Sequence, residues 1–262
     1  QPAIPAVTLT GSDRAGAKVA EAAGKALKKC VLELGGSDPF IVLDDADLKA
    51  AATVGCRARN QNNGQSCIAA KRFIVDRNVA DEFEELFVAA VKALTVGDPT
   101  DPATNVGPLA RADLVHDLAD QVGRTLAMGG QVLTGGSRIQ GTGYYFEPTV
   151  MGGITREMPV FREETFGPVA ALIRVDGDEE AIAVANDCDF GLGSAVWTGD
   201  LERAKAMAVE IEAGAVFVNG MVASDARLPF GGVKRSGYGR ELSGFGIKEF
   251  TNIQTVWVGP AR

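Results

Sequence analysis

The sequence predicts an α/β protein built on a largely parallel, open sheet. Two observations carry this expectation. Short apolar runs alternate with amphipathic helical stretches through most of the 262 residues. Several of those runs end in glycine-rich turns, as strands do when the chain must reverse into a helix. The length suits one large domain or two modest ones. A composition of 46% hydrophobic and 23% charged residues supplies an ordinary globular core.

Taken in order, AVTLT (6–10) reads as a strand, and GSDRAG turns into a helical stretch rich in Ala and Lys, AGAKVAEAAGKALKKC. VLELGG and PFIVL are short buried strands, the first ending at a glycine pair. DADLKAAATVGCRARNQ is a helix whose acidic start complements its dipole. KRFIVD is a strand, VADEFEELFVAAVKAL an amphipathic helix and GDPTDPATNVGPL a loop. The helix ADLVHDLADQVGRTLAMG leads to the strand QVLTGG. The strands AALIRV, GSAVWT and AGAVFVNG alternate with the helices DEEAIAVANDC and LERAKAMAVEI, and FTNIQTVWV reads as a last strand. In such sheets a site is expected beyond the carboxyl ends of the strands.

Charge and cysteine usage exclude several functions. The net charge is -8, and the pair Lys71-Arg72 and the run KRSGYGR are too sparse to form a basic stripe, so no nucleic-acid partner is expected. No apolar run approaches the roughly 18 residues of a membrane span. Cysteines 30, 56, 67 and 188 match no metal-ligand spacing, and His116 is the one histidine, so no metal is expected. His116 reads as a surface residue of a helix. The thiols read as reduced, which suits the cytoplasm.

Five stretches could carry chemistry. In NQNNGQSCIAAKRFIV a polar, glycine-containing loop presents Cys67 just before a strand, where backbone N–H groups can stabilise a thiolate or an oxyanion. The other three cysteines read as buried structural residues. In VLELGG, Glu33 lies in an apolar strand. It is either a buried acid with a raised pKa, suited to general-base work, or a strand-end residue facing solvent. In FREETFGPV an acid pair precedes Phe166. An acid and a ring can hold a ribose and a flat heterocycle, although the stretch alone also suits an ordinary loop. In TGSDRAG, Gly11, Ser12 and Gly16 surround a helix start that could meet phosphate or could only permit close packing. LPFGGVKRSGYGRE is a long loop able to line a pocket.

Together, TGS, LELGG, GQSC, EETFGPV and PFGGVKRSGYGRE resemble the aldehyde dehydrogenase superfamily, from about Val7 to Trp257. The resemblance implies oxidation of a small-molecule aldehyde to a carboxylic acid with NAD or NADP. Cys67 would form a thiohemiacetal and then a thioester, and Glu33 would activate the hydrolytic water. The backbone N–H of Cys67 would supply one oxyanion donor. Gly11 and Ser12 would meet the pyrophosphate, Leu34 would also contact the cofactor, Glu164 would bind the nicotinamide ribose, and Phe166 would pack near the ring.

The resemblance further implies a dinucleotide-binding remnant over about 1–35, a catalytic domain over 36–248, and an oligomerisation strand or tail over 249–262 in a homodimer or homotetramer. RNQNNGQSCIAAKRFIV, NGMVASDARLPFGGVK and GRELSGFGIKEFTNIQTVW are similar to bacterial succinate-semialdehyde dehydrogenases. In that group Ser224 matches a serine that touches the substrate carboxylate. Gln61 stands where many members carry arginine. Glu33 separates the chain from coenzyme A-acylating relatives, which usually lack that acid.

Relatives of this kind carry a long region before the TGS strand, with most of the cofactor fold and an oxyanion asparagine. None of it can be matched here. The competing expectation is therefore a truncated, inactive module that binds NAD(P) weakly and self-associates through the uncovered strand AVTLT.

Overall fold

The computed structural model describes residues 3–260. The chain runs β1 (Ala6–Thr10), α1 (Asp13–Lys25), β2 (Lys29–Glu33), β3 (Pro39–Val42), α2 (Leu48–Asn60), β4 (Arg72–Asp76), α3 (Ala80–Lys92), α4 (Ala112–Ala127), β5 (Gln131–Thr134), β6 (Thr149–Gly152) and α5 (Pro159–Arg162). It continues through β7 (Val169–Val175), α6 (Gly177–Asn186), β8 (Phe190–Gly191), β9 (Gly193–Trp197), α7 (Leu201–Glu210), β10 (Ala215–Val218), β11 (Val233–Lys234), β12 (Gly237–Tyr238) and α8 (Ser243–Glu249).

The main sheet has seven strands in the order β10-β9-β3-β4-β7-β6-β5. All its pairs are parallel except β5–β6. Parallel strands need helices on both faces, and their side chains are then buried on both. Accordingly β3, β4 and β9 are buried at every position. Alternate residues sort into two cores. Phe40, Val42, Phe73 and Val75 point to the α2–α3 side, where Phe73 stacks 4.4 Å from Phe87. Ile41, Leu43 and Ile74 face the other way, toward α4, α6 and α7.

A second, smaller sheet has the order β1-β2-β12. β1 runs parallel to β2 and forms an edge, while β12 lies antiparallel on the other side of β2, pairing Gly237 with Glu33. α1 packs on this sheet through Gly16, where a Cβ would collide with the Leu34 side chain.

Helix starts follow the local chemistry. Ser12, Asp47 and Asp200 cap α1, α2 and α7 by accepting backbone N–H groups with their side chains.

Four details differ from the sequence expectations. α1 ends at Lys25, because Leu27 adopts φ 53° and reverses the chain, releasing Lys29 and Cys30 into β2. The segment read as a last strand makes no ladder among the described residues. Ile253, Trp257 and Val258 there are 82–84% exposed, since a strand forms only against a partner edge. β6, α5 and α8 emerge where no periodicity was legible. The fourth difference concerns the site's location. Segment 34–38 leads from the carboxyl end of β2 directly into the amino end of β3. The chemistry-bearing segments therefore lie beyond the carboxyl edge of the small sheet, but before the amino ends of β3, β4 and β7 in the large one.

Candidate active site

Three segments meet where β3, β4 and β7 begin. The first follows α2. Asn62 and Asn63 adopt left-handed backbone (φ 50° and 58°), a region asparagine tolerates better than most residues, and Gly64 follows at φ 74°. This reversal turns the chain back to present Ser66, Cys67 and Ile68 before β4. It is held from several sides. Asn63 accepts the Gly107 N–H at 2.7 Å and donates to Pro108 O at 3.1 Å. Gln65 Oε1 accepts from Ala110 N at 2.8 Å. Arg59, fully buried, donates to Gly64 O at 2.8 Å. Gly64 abuts the Gly167–Pro168 backbone so closely that no Cβ would fit.

Cys67 is half-buried, whereas Cys30, Cys56 and Cys188 are buried. Its backbone N–H has no protein acceptor among the described residues. Burial pushes its thiol pKa up; Asp38 and Glu164 push the same way, while Lys71 and the Ile68 N–H pull it down.

The second segment is Glu33–Asp38. A Cβ on Gly36 would sit 2.6 Å from Cys67 O, and one on Gly35 would strike the Glu164 carboxylate. The glycine pair is thus a requirement of close approach between the segment after β2, the Cys67 turn and the Glu164 carboxylate. Glu33 is 3% exposed, which decides between the two readings of this acid in favour of the buried one. Neither carboxylate oxygen has a hydrogen-bond partner. Burial raises its pKa to about 8, with Glu241 adding to the rise and Arg240 opposing it. Gly231 makes room for this carboxyl: a Cβ there would lie 2.8 Å from Oε1. The loop LPFGGVKRSGYGRE therefore frames Glu33, and its Ser236 bonds Gly35 O at 2.7 Å.

The third segment is Glu163–Phe166. The Glu164 carboxylate turns inward, accepting the Gly36 N–H at 3.0 Å and lying 3.7 Å from Lys71 Nζ. Glu164 and Phe166 border a cavity of about 260 Å³, which Gln121 and Arg124 of α4 also line. Neither α4 residue was singled out in the sequence. Their spacing of three residues on one helix face, opposite an acid pair, was the available signal. Arg124 forms a two-pronged pair with Glu163 at 2.8 Å on both arms.

The remaining expected residues are placed as follows. Gly11 and Ser12 are exposed at the end of β1, and the Ser12 hydroxyl caps α1 by accepting the Ala15 N–H at 3.2 Å. Leu34 is buried against Gly16, and its N–H donates to Ser236 O at 3.0 Å. Gln61 is half-buried, with its Nε2 buried and unpartnered. Ser224 is exposed in the loop between β10 and β11, beside the Asp225–Arg227 pair, and no described hydrogen bond ties it to the Cys67 turn. His116 is exposed on α4. Among the described residues no group of three His, Cys, Asp or Glu side chains could hold a metal, and no helix is long and apolar enough to cross a membrane.

The sequence matches the family described as "Aldehyde dehydrogenase family" over residues 1–256. The chain belongs to the aldehyde dehydrogenase family. Among its relatives is the succinate semialdehyde dehydrogenase [NAD(P)+] Sad of Escherichia coli (strain K12), 56% identical over 254 residues, which are 97% of this chain and 55% of that protein. The probable succinate-semialdehyde dehydrogenase [NADP(+)] of Synechocystis is 54% identical, over 97% of this chain and 56% of its own length. The crystal structure of a succinic semialdehyde dehydrogenase from Streptococcus pyogenes in complex with NADP+ superposes with a TM-score of 0.94 at 44% identity, covering 97% of this chain and 56% of that one. The chain thus spans about half the length of the relatives it matches. The α/β fold of this chain is that of the aldehyde dehydrogenases.

Proposed function

We propose that the protein oxidises an aldehyde, by preference succinate semialdehyde, to the carboxylic acid with NAD or NADP. The observation that carries the reading is Glu33: a buried carboxyl with no partner and a pKa of about 8, three residues before Gly36, which packs against the Cys67 carbonyl. An unpaired buried acid is costly to keep, and a base with this pKa suits water activation near neutral pH. The succinate-semialdehyde names of the relatives support the substrate.

Cys67 Sγ bonds the aldehyde carbon to give a thiohemiacetal, and the free Cys67 N–H is placed to receive the carbonyl oxygen as it gains charge. A nicotinamide, when bound, would supply the hydride acceptor for oxidation of this adduct to a thioester on Cys67. Glu33 then removes a proton from the water that attacks the thioester carbon, releasing the carboxylic acid and the thiolate.

The residues present fit part of a dinucleotide. Glu164 and Phe166, with Gln121 and Arg124, border a cavity suited to a ribose and a ring. Gly11, Ser12 and Leu34 follow the carboxyl ends of β1 and β2, where the remainder would run. Ser224 would meet the distal carboxylate of the substrate, and Gln61 would offer its amide there in place of a guanidinium. We place the cofactor-domain portion at 1–35, the catalytic domain at 36–248 and an oligomerisation tail at 249–262. The exposed apolar side chains of that tail support a homodimer or homotetramer. Four unpaired cysteines support a cytoplasmic setting.

The test is a panel of aldehydes with each cofactor, run on this chain and on any longer natural form. Succinate semialdehyde should turn over fastest, and Cys67→Ser should abolish turnover while Cys30→Ser, Cys56→Ser and Cys188→Ser retain most of it. Retained turnover in Cys67→Ser would end the proposal.

A further inference from the structure

We propose that Lys71 is the positioning residue of the nucleophile turn: its buried ammonium holds the turn's backbone from within and sets the charge that the Cys67 sulfur meets. The proposal rests on the reading of Cys67 as the nucleophile.

The Lys71 side chain is fully buried. Its Nζ donates to Ser66 O at 3.1 Å, Cys67 O at 3.0 Å and Ala69 O at 3.0 Å. An ammonium has three N–H groups, so all three are used, and all on carbonyls of one four-residue stretch. The ammonium occupies the inside of the turn much as a bound cation would. With the Cys67 carbonyl drawn inward, the Cys67 N–H is left without a protein acceptor.

Burying an ammonium costs several kcal/mol unless charge and hydrogen bonds offset it. The charge comes first from Glu164, 3.7 Å away, with Asp38 a partial contributor, because burial raises its own pKa to about 7. Asp38 also ties its backbone to the same residue, accepting the Lys71 N–H at 3.0 Å, while its Oδ1 accepts from Gly193 N at 3.0 Å. Two other buried cations lie near and do different work. Arg59 bonds Gly64 O and Val169 O, and Arg72 bonds Ser37 O, Val184 O and Ala185 O. Neither reaches a carbonyl of residues 66–69 among the described bonds.

The groups acting on the Cys67 sulfur are therefore Lys71 and the Ile68 N–H, which favour thiolate, against burial, Asp38 and Glu164, which oppose it. Arg59 acts on Lys71, Glu164 and Asp38 in turn. A merely structural lysine would affect folding and leave the acidity of the thiol alone. A positioning lysine moves both.

The experiment is the pH dependence of Cys67 alkylation by iodoacetamide on the full chain without cofactor, with the labelled site mapped by mass spectrometry and folding checked by circular dichroism. Lys71→Met should move the alkylation midpoint upward by on the order of one pH unit and slow labelling about tenfold below it. A folded Lys71→Met protein with an unmoved midpoint overturns the proposal. If Lys71→Met does not fold, Lys71→Met/Glu164→Gln, which removes both charges of the pair, is compared with Glu164→Gln alone. The double variant should show the higher midpoint, and equal midpoints overturn the proposal. Labelling of the unaltered chain at Cys30, Cys56 or Cys188 while Cys67 is spared overturns the nucleophile reading itself, and this proposal with it.

Discussion

Replacing Glu33 with Gln keeps the side chain's shape and removes its charge. Burial pushes the Glu33 pKa from 4.5 to about 8, so the folded chain keeps a proton that the unfolded chain releases once the pH passes 4.5. For an acid shifted upward, the associated stability is complete below the unfolded value and is lost as pH rises toward the folded one. Gln carries no such loss. The unfolding free energy of Glu33→Gln relative to the unaltered protein should therefore climb between pH 4.5 and 8, by on the order of 2 kcal/mol after allowing for water at the mouth of the site. An unpartnered amide adds an offset, but that offset does not depend on pH. Urea denaturation at pH 5 and pH 8 reads the difference directly. The same substitution should leave an acyl-enzyme on Cys67, seen as a burst of reduced cofactor followed by a steady state slower by about 10²–10⁴-fold. In the unaltered enzyme the deacylation rate should rise with pH through about 8. A stability difference that is flat across this range, with an unchanged steady state, would refute both the buried-acid argument and the role of base.

Gly64→Ala should destabilise the fold by about 2–4 kcal/mol, because a methyl there meets the Gly167–Pro168 backbone and φ is +74°; thermal melts check this, and a loss under 1 kcal/mol would show that the two loops can part freely. Ser224→Ala should raise KM for succinate semialdehyde about tenfold or more relative to an uncharged aldehyde of similar length, as charge-assisted hydrogen bonds typically contribute about 1.5–3 kcal/mol. Equal changes for both substrates would remove Ser224 from carboxylate recognition.

Much of the fold was legible because periodicity and capping act locally. β3, β4 and β9 are built around short apolar cores (FIV, FIV and AVW), and Asp47 and Asp200 announce the helices they cap. Cys67 stood out by the polar loop before it, and Glu33 by being an acid inside an apolar strand. The rest depended on distant partners. Lys71 and Arg72 looked like a feeble basic pair, yet both are fully buried, because carbonyls from three separate segments converge on them. Gly16 suited a phosphate loop equally well on local grounds, and only its contact with Leu34 makes it a packing residue. The two-residue strands β8, β11 and β12 have no sequence period at all; they exist because Ser236 and Gly237 reach back to Gly35 and Glu33. The apolar alternation of FTNIQTVWV read as a strand, but alternation supplies only the side chains and not the neighbouring edge.

The seating of β12 against β2 also governs when the site can form. Ser236 and Gly35 are 201 residues apart in sequence, and their bond closes one of the longest loops in the molecule. Contacts of this span are entropically late, because the chain between must be ordered before they are rewarded. β1, α1 and β2 are synthesised well before β12, with one side of β2 bare, and Glu33 lacks the wall that Gly231 supplies until that later segment arrives. The thiol turn, by contrast, is closed by Lys71 and Arg59 from within a dozen residues of Cys67. The short bonds of Lys71 and Arg59 can thus close before the wall around Glu33, although the Cys67 turn also waits for its partners at 107–110 and 167–168.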